Sequence, residues 1–127
     1  MRKEPLIPLA VLGTILAFAL WCGAVTESDT DRWRQQVRQA QTLAEAEDWA
    51  GTEDALAESY ADWSARQTFL HIVLEHDAVD DAEAMYRRCM AFAAARESSE
   101  LRAETADLLD QLRLLSEMEQ FDVKNIL

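Results

Sequence analysis

The sequence predicts an all-α protein in which an N-terminal transmembrane helix leads into an antiparallel bundle of about four helices. Both prolines, Pro5 and Pro8, lie at the start of the chain, so no proline interrupts the helices beyond them. Ala, Leu, Glu, Gln and Arg dominate, and all are good helix formers, whereas β-branched residues are sparse after Val25. Beyond this point apolar residues recur at steps of three and four, which is the spacing of one helix face.

The first element is an apolar run at residues 6–25, which reads LIPLAVLGTILAFALWCGAV. The run carries no charged side chain, and a helix of its length spans about 30 Å, enough to cross the hydrocarbon core of a bilayer. Trp21 stands near its far end, where an interfacial aromatic is expected. We therefore predict that residues 1–25 form a signal anchor that spans the membrane.

Two other fates of this segment compete with an uncleaved anchor. A signal peptidase could cut after Ala24, but the apolar run is longer than the usual core of a signal peptide. Cys22 could be lipidated, but the bulky Trp21 directly precedes it, where a lipidation site has a small residue. The length of the run favours the anchor.

The side of the membrane on which the helical domain lies depends on the flanking charges. Arg2 and Lys3 precede the span, whereas three arginines, at positions 32, 34 and 38, follow it. A count of these positive charges places the domain in the cytoplasm. The short basic N-terminal flank is nevertheless typical of secretory segments, and acidic residues lie between the span and the arginines. We expect a single-pass protein of the cell membrane with an extracytoplasmic domain.

The rest of the chain is predicted to be a linker at residues 26–31 and an acidic helical bundle at 32–127. The linker reads TESDTD, and its cap-type residues suit a helix start. Turns are expected at 48–52, which contains Gly51, at His76-Asp77 with Asp77 as the N-cap, and at 96–99. The four predicted apolar stripes are Trp33, Val37, Ala40 and Ala44; Leu56, Tyr60, Trp63, Gln67, Leu70 and Leu74; Val79, Ala82, Tyr86, Cys89 and Ala93; and Leu101, Thr105, Leu108, Leu112 and Leu115.

The charge balance restricts the class of partner. The net charge is −12, and because residues 1–25 carry +1, the remainder carries −13. Nucleic-acid binding is excluded, since phosphate contacts need clustered Lys and Arg. A basic protein partner or self-association suits this charge, and so does simple solubility. We therefore predict a membrane-anchored interaction or scaffold module rather than an enzyme.

Chemical sites are sparse. No nucleophile or general acid–base pair has a recognisable motif around it, so no catalytic residue and no cofactor are predicted. The alternative function is a metal-dependent enzyme or sensor that uses His71, Glu75 and His76. These residues resemble a metal site only weakly, because their order, H-x-x-x-E-H, matches neither common zinc motif. Asp77 or Asp80 could supply a third ligand. The alternative is that His76 forms a hydrogen bond at a helix junction.

Several residues are candidates for binding a partner. The tryptophans of the soluble part either anchor the core or are exposed as binding hot spots. The tail at 121–127 departs from helical periodicity, and it either folds back on the bundle or docks on a partner. Cys89 is expected to be a small core residue, and a lipid-binding cavity lined by Met85, Met90 and Phe92 is a further alternative. The partner-binding candidates are Trp49, Trp63, His76, Asn125 and Ile126.

These features together resemble a known family. Asp48-Trp49 stands at the first turn, Trp63 lies in the next helix, His76-Asp77 opens the third, and Asn125-Ile126 ends the chain. The pattern is similar to an uncharacterised family of small bacterial membrane-anchored proteins, a domain of unknown function found in Gram-positive genomes. The resemblance implies a single span followed by a helical extracytoplasmic domain. It implies no activity, because the family has none assigned.

Overall fold

The computed structural model describes the backbone of residues 5–126 and the side chains of residues 5–119. Within these residues the chain forms five α-helices and no strand, which confirms the predicted fold class. The helices are α1 (Leu6–Glu45), α2 (Trp49–Ala65), α3 (Gln67–Val73), α4 (His76–Ala94) and α5 (Ser98–Ile126).

The helices pack as an up-down-up-down bundle. α1 packs against α2 and α5, and α4 packs against the same two helices from the opposite corner. The Gln41 side-chain amide donates a hydrogen bond to the Thr105 hydroxyl at 2.9 Å, which fixes the register of α1 against α5. The short α3 continues the course of α2 and contacts α4. The four long helices, α1, α2, α4 and α5, therefore alternate in direction along the chain.

The core consists of the predicted stripes. Trp33, Trp63 and Tyr86 are the largest fully buried side chains. Trp63 and Tyr86 pack with ring centroids 5.5 Å apart. The leucines of α5 are buried opposite them, because steps of three and four keep them on one face. The buried members of the α5 stripe are Leu101, Thr105, Leu108, Leu112 and Leu115.

The predicted linker at residues 26–31 is wrong, because α1 is one uninterrupted helix through this stretch. Thr26, Asp29 and Thr30 are buried against the bundle. The polar groups of Thr30 and Asp29 are tolerated inside a helix because each has a local or tertiary partner, whereas the Thr26 hydroxyl has no hydrogen-bond partner among the described atoms. The Thr30 hydroxyl donates to the Glu27 carbonyl at 3.0 Å, and Asp29 forms ion pairs with two arginines. The apolar segment and the first bundle helix therefore form a single continuous helix.

The first turn lies where it was expected and is held by local hydrogen bonds. Asp48 is the N-cap of α2, and its carboxylate accepts a hydrogen bond from the Gly51 amide at 2.9 Å. Glu47 precedes it with a φ of 60°, in the left-handed region. The Asp48 amide donates to the Leu43 carbonyl, and the Glu47 amide to the Ala44 carbonyl. These two bonds form a Schellman motif, and Arg96 occupies the same position after α4.

Two boundaries differ from the prediction. The second helix breaks at Arg66, although its apolar stripe continues into α3. Asp77 is not the N-cap of α4, because the helix begins at His76 with Glu75 as the flanking residue. Leu74 and Glu75 are extended, with ψ values of 163° and 132°, so the chain turns a corner between α3 and α4.

The C-terminal tail differs from its predicted irregular form. The backbone of α5 is helical to Ile126. Because α5 is antiparallel to α1, its last turns approach the apolar segment of α1. The side chains of Asn125 and Ile126 lie outside the described residues.

Candidate functional site

The exposed apolar surface is concentrated at one end of the molecule. Of the large hydrophobic side chains exposed in the described part of the chain, all but two lie between Leu6 and Trp21. From Cys22 onward α1 turns buried residues toward the bundle. In the described residues α1 is the one helix long and apolar enough to cross a membrane, by length and composition. The burial pattern separates a bare apolar segment from a packed one within the same helix.

The short helix α3 lies beside the end of this apolar segment. Trp21 packs edge-on against Phe69, with ring centroids 6.4 Å apart and 79° between the ring planes. Ile72 follows on α3 and is 77% exposed, more than any other large hydrophobic side chain described. Leu114, the other exposed hydrophobic residue outside the span, is 41% exposed on α5. α3 therefore adds exposed apolar surface beside the apolar segment of α1.

The corner between α3 and α4 brings both histidines of the chain together. The rings of His71 and His76 have centroids 4.5 Å apart and planes tilted by 41°. His76 Nε2 lies 3.2 Å from Asp80 Oδ2, and His71 Nε2 lies 3.9 Å from Asp80 Oδ1. One potential ligand atom from each of the three residues lies within 4.8 Å of the other two. These three side chains have the chemistry and the proximity to hold a metal ion.

The predicted metal candidates are therefore only partly brought together. His71 and His76 converge, but the group that the structure assembles contains Asp80 and not Glu75. Glu75 lies in the extended corner and is exposed. Asp80 stands one helical turn after His76, so both side chains project from the same face of α4.

The candidates for partner binding fall in different environments. Trp63 is fully buried, so its ring belongs to the core rather than to an exposed surface. Trp49 is partly buried and packs against that core. His76 is exposed and lies in the histidine corner. The described members of this set therefore do not form one common surface.

An ionic seam of two arginines and two aspartates joins α1 to α2, and nothing in the sequence pattern had indicated it. Arg32 contacts Asp29 at 3.0 Å and donates to both carboxylate oxygens of Asp62. Arg66 reaches Asp29 at 3.0 Å from the other side. The hydrogen bonds from Arg32 lower the pKa of Asp62 although partial burial opposes this. The seam therefore joins the turn of α1 that contains Asp29 and Arg32 to the end of α2.

The buried titratable groups of the core are chemically quiet. Tyr86 shares a hydrogen bond of 2.8 Å with the Ser59 hydroxyl, and burial raises the pKa of the phenol. Burial also raises the pKa of Cys89 to about 12, so its thiol is protonated at neutral pH. Cys89 is thus a core residue, as expected.

A cavity of about 300 Å³ opens at the other end of the bundle, between α1 and α5. Gln41, Arg102 and Thr105 contribute to its mixed polar lining. Met85, Met90 and Phe92 do not line it, because they pack against the core. This cleft therefore differs from the apolar cavity considered for a lipid ligand.

Comparisons with known proteins give a family but no activity. A stretch of 117 residues is 36% identical to a urease accessory protein UreF from Azoarcus sp. (strain BH72). It covers 91% of this chain and 48% of that protein, so the chain spans about half the length of the curated relative it matches. No solved structure matches the chain. Residues 20–126, which include the buried part of α1 and all of α2 to α5, match one family model. The chain therefore belongs to that family, described as Domain of unknown function (DUF4363).

Proposed function

We propose that the chain is a single-span membrane module that holds an acidic four-helix bundle directly on the bilayer surface. The observation that carries this proposal is the continuity of α1 from Leu6 to Glu45. Its first part exposes apolar side chains and its second part contributes buried residues to the bundle core. A helix without a break between the two parts leaves no flexible tether between span and bundle.

The position of α3 supports a seat on the membrane. Covering a large hydrophobic side chain as exposed as Ile72 with an apolar environment is favourable compared with leaving it in water. The contact between Trp21 and Phe69, which brings α3 beside the end of the apolar segment of α1, supports this position. Aromatic side chains favour this interfacial level of a bilayer. The lipid interface therefore covers Ile72 without any further component.

The proposed role of the bundle is to bind a protein partner or a second copy near the membrane. The charge of −13 beyond residue 25 favours a basic partner surface. We place the bundle on the extracytoplasmic side of the cell membrane. Crosslinking in native membranes, at low and at high salt, tests the partner: a partner held by charge is lost at high salt. A partner retained equally at both salt concentrations contradicts recognition by charge, and a homodimer band identifies self-association.

Membrane insertion is tested by alkaline carbonate extraction. The wild-type chain is expected to stay in the membrane pellet. A variant with Leu12→Arg and Ile15→Arg is expected in the supernatant, because each central arginine costs about 2.5–3.5 kcal/mol of insertion. Ala94→Arg and Ala95→Arg add the same charge at the exposed far end and are expected to stay in the pellet. Release of the wild-type chain by carbonate would contradict the proposal. A measured mass that matches a mature chain beginning after Ala24 would show a cleaved signal instead.

A further inference from the structure

We propose that His71, His76 and Asp80 form a binding site for a divalent transition metal of the zinc class, at the corner between α3 and α4. This site is independent of the proposed membrane function. Both histidines of the chain converge on the same carboxylate, from two different helices. Two imidazoles and one carboxylate are ligands that suit Zn²⁺ and its neighbours in the first transition row.

The distances fit a metal after small side-chain movements. Ligands at zinc bond lengths of about 2.0–2.2 Å in a tetrahedron stand about 3.3–3.6 Å from one another. His76 Nε2 and Asp80 Oδ2 are 3.2 Å apart, and His71 Nε2 and Asp80 Oδ1 are 3.9 Å apart. Rotation of exposed side chains closes the remaining differences, since His76 is 73% and Asp80 is 51% exposed.

The environment of His71 gives a second reason. Its Nδ1 is buried and has no hydrogen-bond partner among the described atoms. Its Nε2 is 3.9 Å from the nearest oxygen of Asp80, which is too long for a hydrogen bond. The ring is therefore held in place by packing while neither nitrogen has a strong partner. A metal bound through Nε2 gives this imidazole the strong partner that it lacks.

The surroundings attract cations and leave room for them. Glu75, Asp77 and Asp81 are exposed within the same corner and the first turns of α4. Their charge raises the local concentration of divalent ions. The exposure of His76 and Asp80 leaves further coordination positions open to water, as in sites with three protein ligands. Such a site would join the seven-residue α3 to α4.

The test is metal titration of the full chain in detergent, without a polyhistidine tag and after treatment with a chelator. Zn²⁺ is added in competition with a chromophoric chelator. The expected result is one equivalent bound with micromolar affinity or tighter, and a rise in Tm of about 2 °C or more at saturation. Mg²⁺ at the same concentration is expected to produce neither effect, because it prefers oxygen ligands.

Matched variants assign the binding to the three residues. His76→Asn and Asp80→Asn are each expected to weaken Zn²⁺ binding by about tenfold or more. Even the mutation of a residue that only hydrogen-bonds to a metal ligand lowers metal affinity by this factor. Asp81→Asn and Glu75→Gln remove a neighbouring exposed charge and are expected to change the affinity by less than about threefold. His71→Asn provides a third loss if it retains the helical circular dichroism of the wild type. The proposal is overturned if the wild type binds no stoichiometric Zn²⁺, or if Asp81→Asn weakens binding as much as Asp80→Asn.

Discussion

The indole of Trp21 and the ring of Phe69 meet edge-on, with centroids 6.4 Å apart, although they are 48 positions apart in the chain. This contact joins the end of the apolar segment of α1 to the short helix α3. It places exposed Ile72 and the histidine corner at the same end of the bundle. The contact thus links the proposed membrane seat to the proposed metal site in space, although either can fail without the other.

The buried hydroxyl pair of the core gives a stability prediction. Tyr86→Phe is expected to lower the free energy of unfolding by about 1 kcal/mol, because the buried Ser59 hydroxyl loses its partner at 2.8 Å. Thermal denaturation should show a fall in Tm of about 4–8 °C for a domain of this size. Tyr60→Phe is the control, since its hydroxyl bonds to partly exposed Glu83 and its loss should cost less. An equal effect of the two variants would contradict the account of the core.

The left-handed positions predict stabilising substitutions. Glu47 and Arg96 have φ values of 60° and 57°, which glycine adopts without a steric cost. Glu47→Gly and Arg96→Gly are therefore each expected to raise the free energy of unfolding by about 0.5–1 kcal/mol. Chemical denaturation measures this change. Ala95→Gly is the control, because Ala95 has a negative φ and gains nothing from glycine. Destabilisation by both of the first two variants would show that the Schellman turns are not formed.

The N-cap of α2 predicts a loss. Asp48→Ala removes the carboxylate that accepts from the Gly51 amide and is expected to cost about 1 kcal/mol. Gly51→Ala is expected to be destabilising as well, because its Cβ would lie 2.6 Å from Asp48 Oδ2 and displace the cap. In the double variant the two losses should be less than additive, since both remove the same hydrogen bond. Full additivity in a double-mutant cycle would contradict this reading.

The ionic seam predicts a dependence on pH. Arg32 holds the pKa of Asp62 below its ordinary value, so ionised Asp62 stabilises the folded chain above about pH 4. This contribution is lost as the pH falls through the lower, folded-state pKa. Asp62→Asn is expected to be less stable than the wild type at pH 7 and to lose less stability between pH 5 and pH 2, as followed by urea denaturation at each pH. Parallel acid profiles of the two proteins would show that the pair contributes nothing.

The sequence predicted the helical stripes well because they depend on local spacing. The stripe residues from Val79 to Ala93 on α4 and from Leu101 to Leu115 on α5 are buried, as their steps of three and four require. The prediction of a linker at residues 26–31 was wrong because the conformation of this stretch depends on a contact between helices, not on local spacing. Asp29 was read as a boundary residue, but its partner Arg66 comes from a different helix, and no local pattern shows that pairing. The break at Arg66 was hidden because the apolar stripe continues through it.

The histidine corner was only half predictable. The spacing of His71 and Glu75 suggested a shared helix face, which requires one continuous helix between them. The extended conformation of Leu74 and Glu75 ends that helix and turns the next one, so that Asp80 replaces Glu75 beside the histidines. Asp80 had been one of two options for a further ligand. The choice depends on the angle of the corner, which a sequence pattern does not specify.

In the proposed arrangement the bundle sits directly on the bilayer, with α3 at the interface. Quenching of a fluorophore at position 72 in lipid vesicles tests it most directly. The label is introduced by Ile72→Cys, with Ala95→Cys at the far end as the control; the native Cys22 and Cys89 are buried and react poorly. We predict quenching by lipids with spin-labelled acyl chains and a blue-shifted emission at position 72 but not at position 95. Aqueous emission without lipid quenching at position 72 would contradict the account.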